Sequence, residues 1–105
     1  MARDALGPVF SALSDPTRRH LVETLAGLET ATLGELAAGL PVTRQAVSKH
    51  LAALGEAGLV ESTRAGRNTR YRLTPDALGD AAAWIDRVGA QWDERLRALR
   101  DHLTR

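Results

Sequence analysis

Side chains that can bind a polyanion are concentrated in the middle third of this 105-residue chain. Lys and Arg number 3, 6 and 5 in residues 1–42, 43–72 and 73–105, against 5, 2 and 6 Asp and Glu. The middle segment therefore carries +4, between segments of −2 and −1, although the whole chain carries only +1. A local excess of guanidinium and ammonium groups is typical of a surface that binds nucleic acid.

A predicted helix at the start of this segment presents polar side chains on one side. Thr43 is a typical helix N-cap, and Gly58 is a typical residue just beyond a helix end. Val47, Leu51 and Leu54 fall on one side of the helix, so the other side faces solvent. The candidate DNA-contacting residues on and beside that solvent-facing side are Thr43, Arg44, Gln45, Ser48, Lys49 and His50.

The chemistry of these side chains fits both base edges and phosphates. Gln45 can bind an adenine edge through two atoms, and Arg44 can bind a guanine edge. Lys49 suits a phosphate, which adds affinity without sequence preference. His50 leaves two alternatives, a phosphate contact or packing beneath the preceding turn. A solvated helix face is the ordinary explanation for polar residues, but the neighbouring elements favour DNA contact here.

A shorter helix comes before this one. Thr32 and Glu35 have the spacing of a capping box, which predicts a two-turn helix with Leu33, Leu36 and Ala37 turned inward. Residues 39–42 then form a turn. Two helices joined by a tight turn, the second apolar behind and polar in front, are the requirement for a helix-turn-helix that enters the major groove.

After Gly58 the pattern changes from helical to alternating, which predicts a β-hairpin with strands at 59–64 and 69–73 and a loop at 65–68. Tyr71 and Leu73 share one face of the second strand, and Arg70 and Arg72 share the other. Arg67 at the tip is a candidate for insertion into a narrow minor groove; the alternative is a solvated hairpin charge. The candidate DNA-contacting residues of this wing are Arg64, Arg67, Asn68, Arg70 and Arg72.

The chain is predicted to have an amphipathic helix at each end, and the last one is expected to bind a second copy of the chain. The first covers about residues 5–13 and the last about 76–103, and both carry apolar residues at steps of three and four. The last helix is longer than one small core needs, so its stripe favours dimer packing over an internal core or a ligand pocket. The predicted dimer-interface residues of the last helix are Trp84, Ile85, Val88, Trp92, Leu96 and Leu99.

Several classes of function have no residues to support them. The chain has no cysteine, which excludes disulfides and thiolate metal sites. No nucleophile with a base, phosphate-binding loop or metal-ligand cluster is evident, so we expect no enzyme, no metal and no cofactor. We also expect no membrane span and no signal peptide, and hence a cytoplasmic protein.

Three segments together resemble the ArsR/SmtB family of winged helix-turn-helix repressors: FSALSDPTRRHLVETL, ELAAGLPVTRQAVSKHLAALGEAGLV and GRNTRYRL. The resemblance implies a homodimer that forms through the first and last helices and binds an inverted repeat in double-stranded DNA. It therefore adds Leu6, Val9 and Phe10 of the first helix to the expected dimer interface. Many members sense metals through cysteines before the recognition helix or through Asp and His pairs on the last helix. This chain has neither pattern, and it is similar to the metal-independent members.

The predicted fold is α+β and mostly helical, a single winged helix-turn-helix domain over residues 1–105 with about five helices and a two-stranded wing. The predicted function is sequence-specific DNA binding by a homodimeric transcriptional repressor. The alternative is a winged-helix module that binds other proteins, with its arginines serving solubility. The sequence specifies neither an operator nor a small-molecule effector.

Overall fold

The computed structural model describes residues 4–104, which form five helices and one three-stranded antiparallel sheet. The elements in chain order are α1 Leu6–Ala12, α2 Pro16–Ala26, β1 Ala31–Thr32, α3 Leu33–Ala37, α4 Arg44–Glu56, β2 Val60–Ala65, β3 Asn68–Leu73 and α5 Pro75–Leu103.

Local hydrogen bonds explain where the helices begin. The Asp15 carboxylate accepts from the backbone N–H groups of Thr17 and Arg18 at 2.8 and 3.1 Å, directly before Pro16 at the first position of α2. Thr32 and Glu35 form the expected capping box at the start of α3. These side chains satisfy amides that have no partner within their own helix, as the sequence predicts. The α3 helix, at five residues, is shorter than the two turns expected.

The sheet contains a strand that the sequence analysis missed. The order is β1-β3-β2, with Ala31 opposite Tyr71 and Thr32 opposite Arg70, so the hairpin is extended by a two-residue third strand. The hairpin turn is also tighter than expected, because Ala65 and Asn68 pair and leave only Gly66 and Arg67 between the strands. Gly66 has φ of +63°, which suits the first central position of a type II′ turn.

The core forms where α1, α2, α4 and the sheet meet. The predicted inward residues of α4 are all buried, as are the residues of α2 that face them: Leu21, Val22, Leu25, Val47, Leu51 and Leu54. The expected place of Val9 in the dimer interface is corrected by the structure, because its side chain is only 2% exposed in the protomer. It packs in the core of its own protomer, and a side chain covered there has no area left for a partner.

Helix α5 leaves the core after its first two turns. Ala81 is buried, and the Trp84 ring meets the edge of Phe10 on α1 at 5.5 Å between ring centroids. Beyond this contact Val88 is half-buried, and the larger apolar side chains are exposed: Ile85, Trp92, Leu96, Leu99 and Leu103. Within residues 4–104, no helix combines the length and the apolar composition that crossing a membrane requires.

Candidate nucleic-acid interface

The turn between α3 and α4 sets the direction of α4. Gly39 lies in it with φ of +81°, a conformation that glycine adopts without steric cost. The Thr43 hydroxyl then accepts from the Ala46 backbone N–H at 3.0 Å and caps α4. Thr43 is thus an N-cap, and its hydroxyl is engaged within the protein in this structure.

The C-terminal end of α4 is fixed to the sheet. Gly58, with φ of +79°, follows the helix, and the Leu59 backbone N–H donates to the Leu54 carbonyl at 2.9 Å. This pattern is a Schellman motif. The Thr74 hydroxyl also donates to the Gly58 carbonyl at 2.6 Å. Helix α4, the predicted recognition helix of the helix-turn-helix, is therefore held at both ends, so its exposed side has a defined orientation.

Four of the six predicted recognition residues share that exposed side or its N-terminal edge. Arg44, Gln45, Ser48 and Lys49 are all exposed, whereas Val47 between them is completely buried. An amide, a hydroxyl and two cations on a rigid helix can bind base edges and phosphates without rearrangement of the backbone.

His50 lies apart from this group. Its side chain is half-buried, and it lies close enough to Asp15 for its charge to act on that carboxylate. The pKa of Asp15 is held below its ordinary value, first by the hydrogen bond from the Arg18 backbone N–H. Burial opposes this effect, and the Thr17 backbone N–H, His50 and the Arg18 charge each lower the pKa by less. The location favours packing against the start of α2 over a phosphate contact.

The strand register divides the arginines of the wing, which we define as β2, the Gly66-Arg67 turn and β3. Arg64 pairs with Thr69, and Ser62 pairs with Tyr71. Because paired residues share a face and alternate residues do too, Arg64 lies on the Tyr71 face. Ser62 and Tyr71 line a groove of about 250 Å³ together with residues of α4, including Ser48. Arg64 therefore shares the wing face that is turned toward the recognition helix.

Arg70 and Arg72 lie on the opposite face of the wing and have partners within the protein. Arg70 donates through Nε to the Thr30 hydroxyl at 2.8 Å, and its Nη2 lies 3.7 Å from the Glu35 carboxylate. The Arg72 Nε lies 3.3 Å from a carboxylate oxygen of Glu61. Both arginines stay predictions as DNA contacts, but their first structural role is to join elements of this chain.

The Glu35 carboxylate that lies near Arg70 also belongs to the capping box of α3. The backbone and hydroxyl hydrogen bonds of Thr32 hold the pKa of the Glu35 carboxyl below its ordinary value, and Arg70 lowers it further. The sequence predicts the box but not the arginine, because Arg70 and Thr30 are forty residues apart. No local signal indicates this connection.

The tip of the wing is exposed and carries a cation. Arg67 and Asn68 are exposed, and among residues 4–104 neither Arg64 nor Arg67 has a carboxylate within 4 Å. Together with the front of α4, this tip forms one polar, cationic surface. In the described part of the chain, no group of three or more His, Cys, Asp or Glu residues is arranged to hold a metal ion.

Comparisons with known proteins show which family of proteins this chain is similar to. A family model described as a helix-turn-helix domain matches residues 13–63. The HTH-type transcriptional regulator Rv2034 of Mycobacterium tuberculosis is 46% identical over 78 residues, which cover 74% of this chain and 72% of the relative.

Solved structures of ArsR-type proteins share the fold beyond the matched segment. An ArsR-like transcriptional regulator from Rhodococcus sp. RHA1 is 44% identical, with a TM-score of 0.79 and coverage of 92% of this chain and 91% of that one. The chain belongs to the ArsR family of winged helix-turn-helix transcriptional regulators. The homodimeric winged helix-turn-helix DNA-binding domain of Mb0332 from Mycobacterium bovis is 29% identical, with a TM-score of 0.64 and coverage of 89% and 82%. Membership of the ArsR family identifies this chain as a DNA-binding transcriptional regulator.

Proposed function

We propose that this ArsR-family protein is a homodimeric repressor that binds an inverted-repeat operator and acts without catalysing a reaction. The observation that carries the proposal is the exposed polar face of α4 beside the free arginines of the wing tip. Gln45 and Ser48 supply base-edge chemistry, and Lys49, Arg64 and Arg67 supply phosphate chemistry. We place this activity in the cytoplasm.

The dimer is proposed from the unpartnered stripe of α5. Trp92, Leu96 and Leu99 are each more than half exposed in the protomer. Ile85, Val88 and Trp92 are followed eleven residues later by Leu96, Leu99 and Leu103. Eleven residues make just over three helical turns, so the stripe runs nearly straight along the helix. The structural relative from M. bovis is described as homodimeric, which supports a second copy as the partner.

A two-fold dimer would place two copies of α4 on one side of the assembly. Helix-turn-helix dimers bind half-sites about 10 base pairs apart, in successive major grooves of one DNA face. The operator would therefore be an inverted repeat that mirrors the protein symmetry. Occupation of such a site over a promoter excludes RNA polymerase, and repression follows without any further activity.

The first test is selection from a pool of random duplexes, followed by sequencing of the retained fraction. We expect an inverted repeat with half-sites about 10 base pairs apart. Transcription in vitro from a promoter that contains this repeat should fall as protein is added. Binding lost at moderate salt with no enriched sequence would contradict the specific repressor and favour a module that binds proteins.

A further inference from the structure

A cationic cleft lies between the helix-turn-helix and the wing tip. It has a volume of about 420 Å³ and is lined on one side by Gly34 and Arg44 and on the other by Arg67, Asn68 and Thr69. No carboxylate is among its lining residues. Within residues 4–104, neither Arg44 nor Arg67 has an acidic partner within 4 Å. The cleft thus brings two unpaired guanidinium groups from separate elements to one concave surface.

Arg44 reaches this cleft because residue 34 is glycine. A Cβ added at Gly34 would lie 3.3 Å from Nη2 of Arg44 and 3.6 Å from its Cζ. The guanidinium therefore lies against the backbone of α3, in space that a side chain at position 34 would occupy. Gly34 is in a helix without a positive φ, so alanine or leucine fits the backbone there. The backbone conformation does not require glycine, whereas a side chain at position 34 would displace the Arg44 guanidinium, and a larger one would displace it further.

We propose that this cleft is a phosphodiester-binding subsite, in which Arg44 and Arg67 contact the sugar–phosphate backbone of one DNA strand and Gly34 positions Arg44. The proposal rests on the proposed function. It changes the role of Arg44, which the sequence assigns to a guanine edge. A planar guanidinium donates two parallel hydrogen bonds to a phosphate, and two such groups without a carboxylate between them match a polyanionic strand. Base discrimination then falls to Gln45 and Ser48.

The test measures affinity for the selected operator and for a random duplex over a range of salt concentrations. Arg44→Ala should weaken both complexes by the same factor, roughly tenfold, and reduce the slope of log K against log salt by about 1. A loss confined to the operator would show that Arg44 reads a base and would overturn the proposal. Failure of the unsubstituted protein to bind either duplex would instead contradict the proposed function itself.

Position 34 gives a second, independent test. Gly34→Ala and Gly34→Leu should weaken binding progressively, with leucine approaching the effect of Arg44→Ala, because a larger side chain displaces the guanidinium further. Gly34→Leu in an Arg44→Ala background should cause no additional loss. Both residues are better helix formers than glycine, so thermal unfolding should show a folded protein. Full affinity in Gly34→Leu, or an additive loss in the double variant, would overturn the proposal.

Gly79 supplies the matched control, because a Cβ added there in α5 meets nothing within 4 Å. Gly79→Ala and Gly79→Leu should leave DNA affinity unchanged.

Free phosphate carries the same chemical group as the DNA backbone and could occupy the cleft instead. NMR titration of the Arg44 and Arg67 Nε–H signals with inorganic phosphate, and separately with duplex, at constant ionic strength distinguishes these two ligands. We expect weak, unsaturated shifts with phosphate and saturable shifts with duplex. Saturation by inorganic phosphate alone would identify a free-anion site and overturn the proposal.

Discussion

The wing arginines have the same side chain but different electrostatic surroundings. Arg70 and Arg72 have carboxylate partners on the face turned away from α4, whereas Arg64 and Arg67 have none in the described part of the chain. A guanidinium that already has a carboxylate partner gains less from a phosphate, because the new contact competes with an existing one. Only the unpaired arginines therefore add their full charge to a DNA complex.

Substitution of Arg67 tests this difference. We expect Arg67→Ala to lower affinity on all duplexes by roughly tenfold and to reduce the salt slope by about 1, because one phosphate contact fewer releases fewer counterions. Arg72→Ala is the matched control and should change both quantities less. Its pair with Glu61 is about half exposed on both sides, so its loss should cost at most about 1 kcal/mol of stability. Equal salt slopes for Arg67→Ala and the parent protein would show that Arg67 does not contact a DNA phosphate.

Gln45 should affect sequence choice more than affinity. A side-chain amide that binds an adenine through two atoms contributes about 1–3 kcal/mol of discrimination against the wrong base. We expect Gln45→Ala to bring operator and random-duplex affinities closer by that amount. Lys49→Ala, as a comparison, should weaken both complexes alike. If Gln45→Ala also weakened both complexes equally, its assignment to a base edge would be wrong.

Helix beginnings were the most predictable elements of this fold. Asp15, Thr32 and Thr43 each cap a helix through amides two or three residues away, so the signal is local and can be found in the sequence. Strand β1 was missed because two residues carry no detectable alternation, and its partners Arg70 and Tyr71 lie about forty residues later. The same distance hid the contact between Arg70 and Thr30, and with it the division of the wing arginines.

The cap of α2 should make stability depend on acid pH. The pKa of Asp15 is lowered in the folded protein, so its stabilising effect is present above its unfolded value of about 3.9 and is lost as pH falls through the lower, folded pKa. Asp15→Asn keeps a capping oxygen without a charge. We therefore expect it to weaken the acid dependence of the urea midpoint below about pH 4.

Asp15→Ala removes the cap together with its charge, because alanine cannot accept the amide hydrogen bonds. It should lower the urea midpoint over the whole pH range. His50 and Arg18 both act on the Asp15 carboxylate. The contribution of the Asp15 charge is therefore obtained by comparing the pH dependence of the urea midpoint in Asp15→Asn with that in the parent protein. Identical acid dependence in these two would show that the Asp15 charge contributes nothing.

The whole molecule is elongated, with extents of 68 × 36 × 21 Å, because the second half of α5 extends beyond the core. A solvent-exposed helix with a continuous apolar stripe is unfavourable for an isolated protomer. The contact between Phe10 and Trp84 joins the base of this stripe to α1. A second copy would therefore bury one surface that is continuous across both terminal helices, and DNA binding by paired half-sites would depend on it.

Leu96→Glu tests whether this surface holds the dimer together. Leu96 is 53% exposed in the protomer, so the substitution should leave the protomer folded, while two symmetry-related carboxylates in an apolar interface would be strongly unfavourable. We expect a monomer in sedimentation experiments and loss of tight operator binding, with single half-site contacts remaining. Ala90→Glu places the same charge on the opposite side of α5 and should remain dimeric. If Leu96→Glu stayed dimeric, the dimer interface would not include this part of α5. The half-site spacing would then require a different arrangement of the two α4 helices in the dimer.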